Sequence, residues 1–135
     1  MKEYLNIEDN FPEVLEQTVT YDLEERTYNF AKRVRELIKS LPKTITNIED
    51  ISQLTRCSGS VGANYIEAND SISRKDFGYR IKICRKEAKE SKFFLRLVDC
   101  NEQVSLEDER KKLIQEAQEL VLIFASILRK TGEIK

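Results

Sequence analysis

The sequence has no histidine, no tryptophan, two prolines, four glycines and three cysteines in 135 residues. Each shortage excludes something. Without histidine there is no Ser-His or Cys-His catalytic pair, and no Glu-x-x-His motif of the kind that holds di-iron centres in helical bundles. Cys57, Cys84 and Cys100 are odd in number and form no C-x-x-C pair. A zinc site and a disulfide framework are therefore both set aside, and no metal or cofactor is expected. The thiols read as small buried apolar groups of a protein kept in a reducing cytoplasm. The opening MKEYLNIEDN is acidic and lacks an apolar run, so it does not read as a secretory signal. No apolar stretch approaches the length of a membrane span. Scarce glycine and proline, no Asn-Gly turn and no sustained alternation exclude strands.

What is present is charge and helix formers. The chain is 40% hydrophobic and 35% charged, with a net charge of −1. No global basic excess points to nucleic acid. The balance is uneven, however. Residues 1–25 hold eight acids and one base, whereas residues 74–96 hold nine bases and three acids.

Three breaks divide the chain, at SLPKTIT around Pro42, at NDSIS (69–73) and at NEQVS (101–105). Between them, apolar or small residues recur at alternating steps of three and four. The first series is Leu23, Thr27, Phe30, Val34, Leu37 and Leu41, and the second is Ile51, Leu54, Ser58, Val61, Tyr65 and Ala68. The third is Phe77, Ile81, Cys84, Ala88, Ser91, Leu95 and Val98, and the fourth is Leu106, Arg110, Leu113, Ala117, Leu120, Phe124 and Ile127. Such seams belong to helices packed at shallow angles. Thr46 with Glu49, Ser73 with Asp76 and Ser105 with Asp108 suit helix starts, and Gly132 suits a helix end. Short connections make neighbours antiparallel. The prediction is an all-α, up-down-up-down four-helix bundle with a left-handed twist. It spans residues 21–131, with helices near 22–41, 46–69, 74–100 and 105–130, behind an acidic N-terminal arm over 1–20.

The seams leave apolar residues over. Val121 to Ala125 is a run of five, and Ile83, Phe93 and Phe94 lie off the third seam. Monomers rarely expose such surface. A homo-oligomer that buries the outer side of the fourth helix and part of the third is therefore expected, the alternative being a wide core in a thick monomer.

The third segment also sorts its charge. With Phe77 at zero and about 100° per residue, Lys75, Lys82, Arg85, Lys86, Lys89, Lys92 and Arg96 fall with Arg74 between about 60° and 180°. This is either a solvated face, paired with acids of a neighbouring helix or of the arm, or a ridge contacting the phosphates of RNA or DNA.

Two of the four glycines stand in CSGSVGANYIEAN (57–69). GSVGAN lacks the Lys-Ser/Thr end of a phosphate-binding loop. Both glycines fall within an unbroken seam, where each costs about 1 kcal/mol relative to alanine. Ser58, Gly59, Gly62 and Ala63 therefore read as a close-packing surface. Asn64 and Glu67 share a helix face that Arg85 and Glu90 of the third helix could meet. Asn64, Glu67 and Glu90 read as a polar network fixing helix register, the other reading being an acid awaiting a substrate.

The runs TRCSGSVGANYIEAN and KDFGYRIKICRKEAKESKFFLRLV resemble the bacterial four-helix-bundle proteins first noticed as reading frames inside intervening sequences of 23S ribosomal RNA genes. Ser60, Ala63, Asn64 and Glu67 match a small-residue run followed by Ala-Asn-x-x-Glu. Glu90 matches the acidic position of the third helix. Ala68 stands where a glycine is usual. The resemblance covers roughly residues 22–130. It implies a bundle that assembles into a ring, often a homopentamer, and no catalysis. A related branch, the accessory variability proteins of diversity-generating retroelements, binds nucleic acid and a protein partner, a reverse transcriptase. The resemblance thus leaves open both an interaction scaffold and a nucleic-acid-binding accessory role.

Overall fold

The structure, a computed structural model, describes residues 13–132, with side chains from Asp22 onward. Four helices account for nearly all of it: α1 (Glu13–Lys39), α2 (Ile45–Asn69), α3 (Arg74–Leu97) and α4 (Val104–Thr131). Each helix packs on the next, and α1 closes the bundle against α4. No strand occurs among the described residues.

The seam residues form the core. From Leu23 to Leu41 all six positions of the first series are buried. The other three series are buried except at Ile51, Phe77, Leu106 and Arg110, each a half-buried position toward a helix end. Tyr65 and Phe124 meet across the bundle with ring centroids 6.0 Å apart. Burial of each large apolar side chain contributes about 1.5–3 kcal/mol. The seam hydroxyls bond to carbonyls of their own helices. Thr27 Oγ1 lies 3.0 Å from the Leu23 oxygen, Ser58 Oγ donates to Thr55 at 3.3 Å, and Ser91 Oγ donates to Glu87 at 2.8 Å. Their polarity costs little, and their small size lets helices approach.

The helix ends differ from expectation in several places. The first helix starts at Glu13 rather than near residue 22, so residues 13–20 are helical; residues 1–12 of the expected arm lie outside the described residues. Thr44, not Thr46, caps α2, accepting a hydrogen bond from the Asn47 amide. Ser73 caps α3 in the same way. At α4 the cap is Gln103, without a side-chain bond, so Ser105 lies inside the helix. Gly132 ends α4 in the left-handed conformation (φ 82°), bonding back to Arg129.

Asn47 explains two of these departures. Its side-chain amide donates to the carbonyls of Pro42 and Asp99, both at 2.9 Å, and its oxygen accepts from the Asp99 amide at 2.8 Å. One buried side chain thus joins the α1–α2 and α3–α4 connections. Holding Asp99 fixes the exit from α3, which ends at Leu97 rather than near residue 100. Asn101 and Glu102 then turn the chain at φ 56° and 57°.

The two glycines inside α2 occupy unlike sites. A Cβ on Gly62 would stand 2.9 Å from Thr27 Oγ1 and 3.2 Å from Thr27 Cβ, so α1 and α2 meet almost backbone to backbone. A Cβ on Gly59 would meet only the far end of the exposed Arg35 side chain, at 3.1 Å, whose guanidinium donates to the Ala31 and Thr55 carbonyls. Gly62→Ala should therefore lower the thermal midpoint. Gly59→Ala should raise stability by up to about 1 kcal/mol, the helix-propensity gain. Paired thermal melts would check the contrast, and equal shifts in the same direction would contradict it.

Candidate functional site

The basic face of α3 is built by helical phase alone. Lys75, Lys82, Lys86, Lys89 and Arg96 are exposed, and Arg85 and Lys92 are half-buried. Lys92 Nζ donates to Gln118 of α4 at 2.9 Å, which places Gln118 on the α3 side of α4. Leu122, Ala125 and Arg129 follow Gln118 at steps of four, three and four, so α4 adds one more base to this side.

The acids of α4 mostly serve other partners. Arg26 binds Glu116 through two bonds of 2.7 and 2.8 Å and reaches Glu119 at 2.8 Å. Arg33 lies 3.3 Å from Glu109. Glu107 is held by Arg110, which also donates to the Val98 carbonyl. Hydrogen bonds from Gln115 and Arg26 hold the Glu119 carboxyl below its ordinary range. On the α3 face, Lys86 meets Glu90 at 3.3 Å within its own helix. Glu109, Glu116 and Glu119 of α4 are thus engaged with α1.

Asn64, Glu67 and Glu90 do not form one network. Asn64 bonds to the Ser60 carbonyl at 2.9 Å and accepts from Arg80 at 3.2 Å, so Arg80 rather than Arg85 faces it. Glu67 is exposed, and its carboxylate makes no hydrogen bond or ion pair among the described residues. Glu90 joins a different group: Arg56 of α2 stands 3.4 Å from Glu90 and 3.6 Å from Glu87. Helical phase separates the outcomes, because Glu67 stands about 200° around the helix from the buried Tyr65 and points out of the bundle.

Glu87 is the unforeseen residue. It is 7% exposed, and its Oε1 has no hydrogen-bond partner among the described residues. Burial, then the adjacent Glu90, raises its pKa, with Arg56 and Lys86 opposing. Its signal in the sequence was only its phase, on the α2 side of the third seam. Cys57, Cys84 and Cys100 are fully buried, and burial raises each thiol, Cys84 to about 12. None is a ready nucleophile. No group of three acidic or thiol side chains among the described residues is placed to hold a metal.

The close-packing quartet separates as well. Ser58 is buried and Gly62 lies against Thr27, but Gly59 and the exposed Ala63 line a surface groove between α1 and α2. The groove holds about 220 Å³ and is completed by Glu24, Thr27, Tyr28, Ala31 and Ile66. In the run 121–125, Val121, Ile123 and Phe124 are buried by the chain itself. Only Leu122, at 48%, is fully exposed there. The outer side of α4 is thus largely covered, because α4 buries a wide arc. The register set by Arg26 and Arg33 runs the added turns of α1 toward its C-terminal half.

These features define a four-helix bundle whose notable surfaces are a charged face and a groove. The chain belongs to the 23S rRNA-intervening sequence protein family, whose model matches residues 20–126. It is similar to a crystal structure from Bacteroides thetaiotaomicron, described as a protein with unknown function from the S23 ribosomal protein family. That similarity has a TM-score of 0.70 at 26% identity and covers 82% of this chain and 97% of the other. No match emerges among curated proteins. Neither likeness indicates an enzyme family. No helix among the described residues is long and apolar enough to cross a membrane.

The Glu87 site makes a pH prediction. Its folded pKa is raised, so the folded state holds a proton that the unfolded chain releases. Stability should fall as pH rises from the ordinary glutamate range through the raised value, and recover below it. Glu87→Gln should flatten that slope and stabilise the protein by about 1 kcal/mol at neutral pH. Thermal melts of both proteins across about pH 4–8 would check it, with an unchanged slope as the contrary outcome.

Proposed function

We propose that this protein is a non-catalytic building block that joins copies of itself into a ring and serves in the cytoplasm as a scaffold or interaction module. One observation carries the reading. After the core is packed, large apolar side chains remain exposed, and two groups of them lie on separate faces along the helices. Tyr28 (56%) and Ile66 (52%) flank the α1–α2 groove, while Phe93 (53%), Leu97 (49%) and Leu122 (48%) lie on α3 and α4. Leaving such surface in water is unfavourable by about 25 cal/mol per Å², which association recovers in part. A ring of five is the form that the family resemblance suggests. Three fully buried free thiols suit a reducing compartment.

A second reading, an accessory protein binding RNA or DNA through the α3 ridge, is favoured by the engagement of Glu109, Glu116 and Glu119 with α1. Phosphate contacts would make such binding steeply salt-dependent without sequence preference.

Light scattering after size exclusion should give a mass several times 15.8 kDa at micromolar concentration; a clean monomer would refute assembly. In a salt series with single-stranded RNA, the Lys82→Glu, Lys86→Glu, Lys89→Glu triple variant should lose affinity and salt slope together if the second reading holds. Unchanged binding in the variant excludes the ridge as the contact.

A further inference from the structure

We infer that the α1–α2 groove is the socket for a second copy of this chain, which inserts the outer stripe of its α3. The inference rests on the self-assembly reading above and names the two faces that meet. The groove floor is built of small residues, with the Arg35 guanidinium lying over its Gly59 end, where it donates to the Ala31 and Thr55 carbonyls. Gly59 and Gly62 contribute no Cβ, Ala31 and Ala63 contribute one each, and Tyr28 and Ile66 form the walls. Its volume of about 220 Å³ is below the roughly 300–1,000 Å³ of small-molecule sites. It is suited to a protruding side chain. Phe93 is such a side chain: it is 53% exposed and braced edge-on by Phe94 at 5.2 Å, with Leu97 one turn beyond.

The charges agree. At one end of the groove stand Glu24, half-buried on α1 and accepting from Asn69, and Glu67 and Asp70, exposed on α2; Arg35 stands at the other end, beside Gly59. Around Phe93 stand Lys86, Lys89 and Arg96, all exposed, with the half-buried Glu90 as the one acid, paired with Lys86. An aromatic knob inside a mainly basic rim thus faces an apolar socket with an acidic end, the pattern that steers and orients association. The free carboxylate of Glu67, without an internal role, gains one here.

Geometry then sets the kind of assembly. α1 packs on α2 and α4, and α3 packs on α2 and α4, so α1 and α3 stand diagonally and their outer surfaces look in opposite directions. Knob and socket are therefore different surfaces on opposite sides of one molecule. Such a contact is head-to-tail and propagates until it closes, whereas a two-fold dimer would pair like surfaces.

Ala63→Arg fills the socket from an exposed position, and Phe93→Glu removes the knob, so each variant should fold, as circular dichroism can verify. Each should move the assembly midpoint to at least about tenfold higher concentration. Mixed in equal amounts, the two should form one-to-one dimers and nothing larger, because only one intact knob-socket pair remains between them. A wild-type protein that stays monomeric defeats the self-assembly reading itself. A wild-type oligomer that survives Ala63→Arg, or a mixture that stays monomeric, defeats only the assignment of faces.

Discussion

The approach of α1 to α2 at Thr27 and Gly62 is the constraint on which the other surfaces depend. A threonine hydroxyl satisfied within its own helix meets a residue without a side chain, and the two backbones come as near as atoms permit. Small residues at such a crossing give up apolar area and gain close backbone contact along the seam. The same choice leaves a trough on the outside, where Gly59 and Ala63 continue the small-residue stripe past the edge of the core. Packing and groove are two sides of one run of residues.

Charge follows a similar division. α4 carries acids over much of its length, yet Arg26 and Arg33 draw Glu109, Glu116 and Glu119 toward α1. That internal pairing separates the surface into a mixed α1–α4 side and a basic α3 side, although the whole chain is nearly neutral. A net charge near zero therefore conceals a directional field, and a partner of either kind would meet the field before the average.

The seams were legible because burial repeats along a helix with a fixed period. Thr27, Ser58 and Ser91 fell into place on phase alone despite their polarity. The basic ridge was legible for the same reason. Long-range partners were not. Nothing near Asn47 in the sequence points to Asp99, fifty-two residues away, and nothing near Arg26 points to Glu116. The expected group of Asn64, Glu67 and Glu90 failed on this point: helical phase says which way a side chain leaves its own helix, but the offset between helices decides what it meets.

The three thiols have a consequence of their own. Cys57 lies midway along α2, Cys84 midway along α3, and Cys100 in the connection beside the Asn47 clamp, all without solvent contact. None can react with a water-borne reagent until its own part of the fold opens, and local openings differ in free energy from place to place. The molecule therefore contains three separate clocks of its breathing. Their rates of modification would rank the clamped end against the middle of the bundle without any added label.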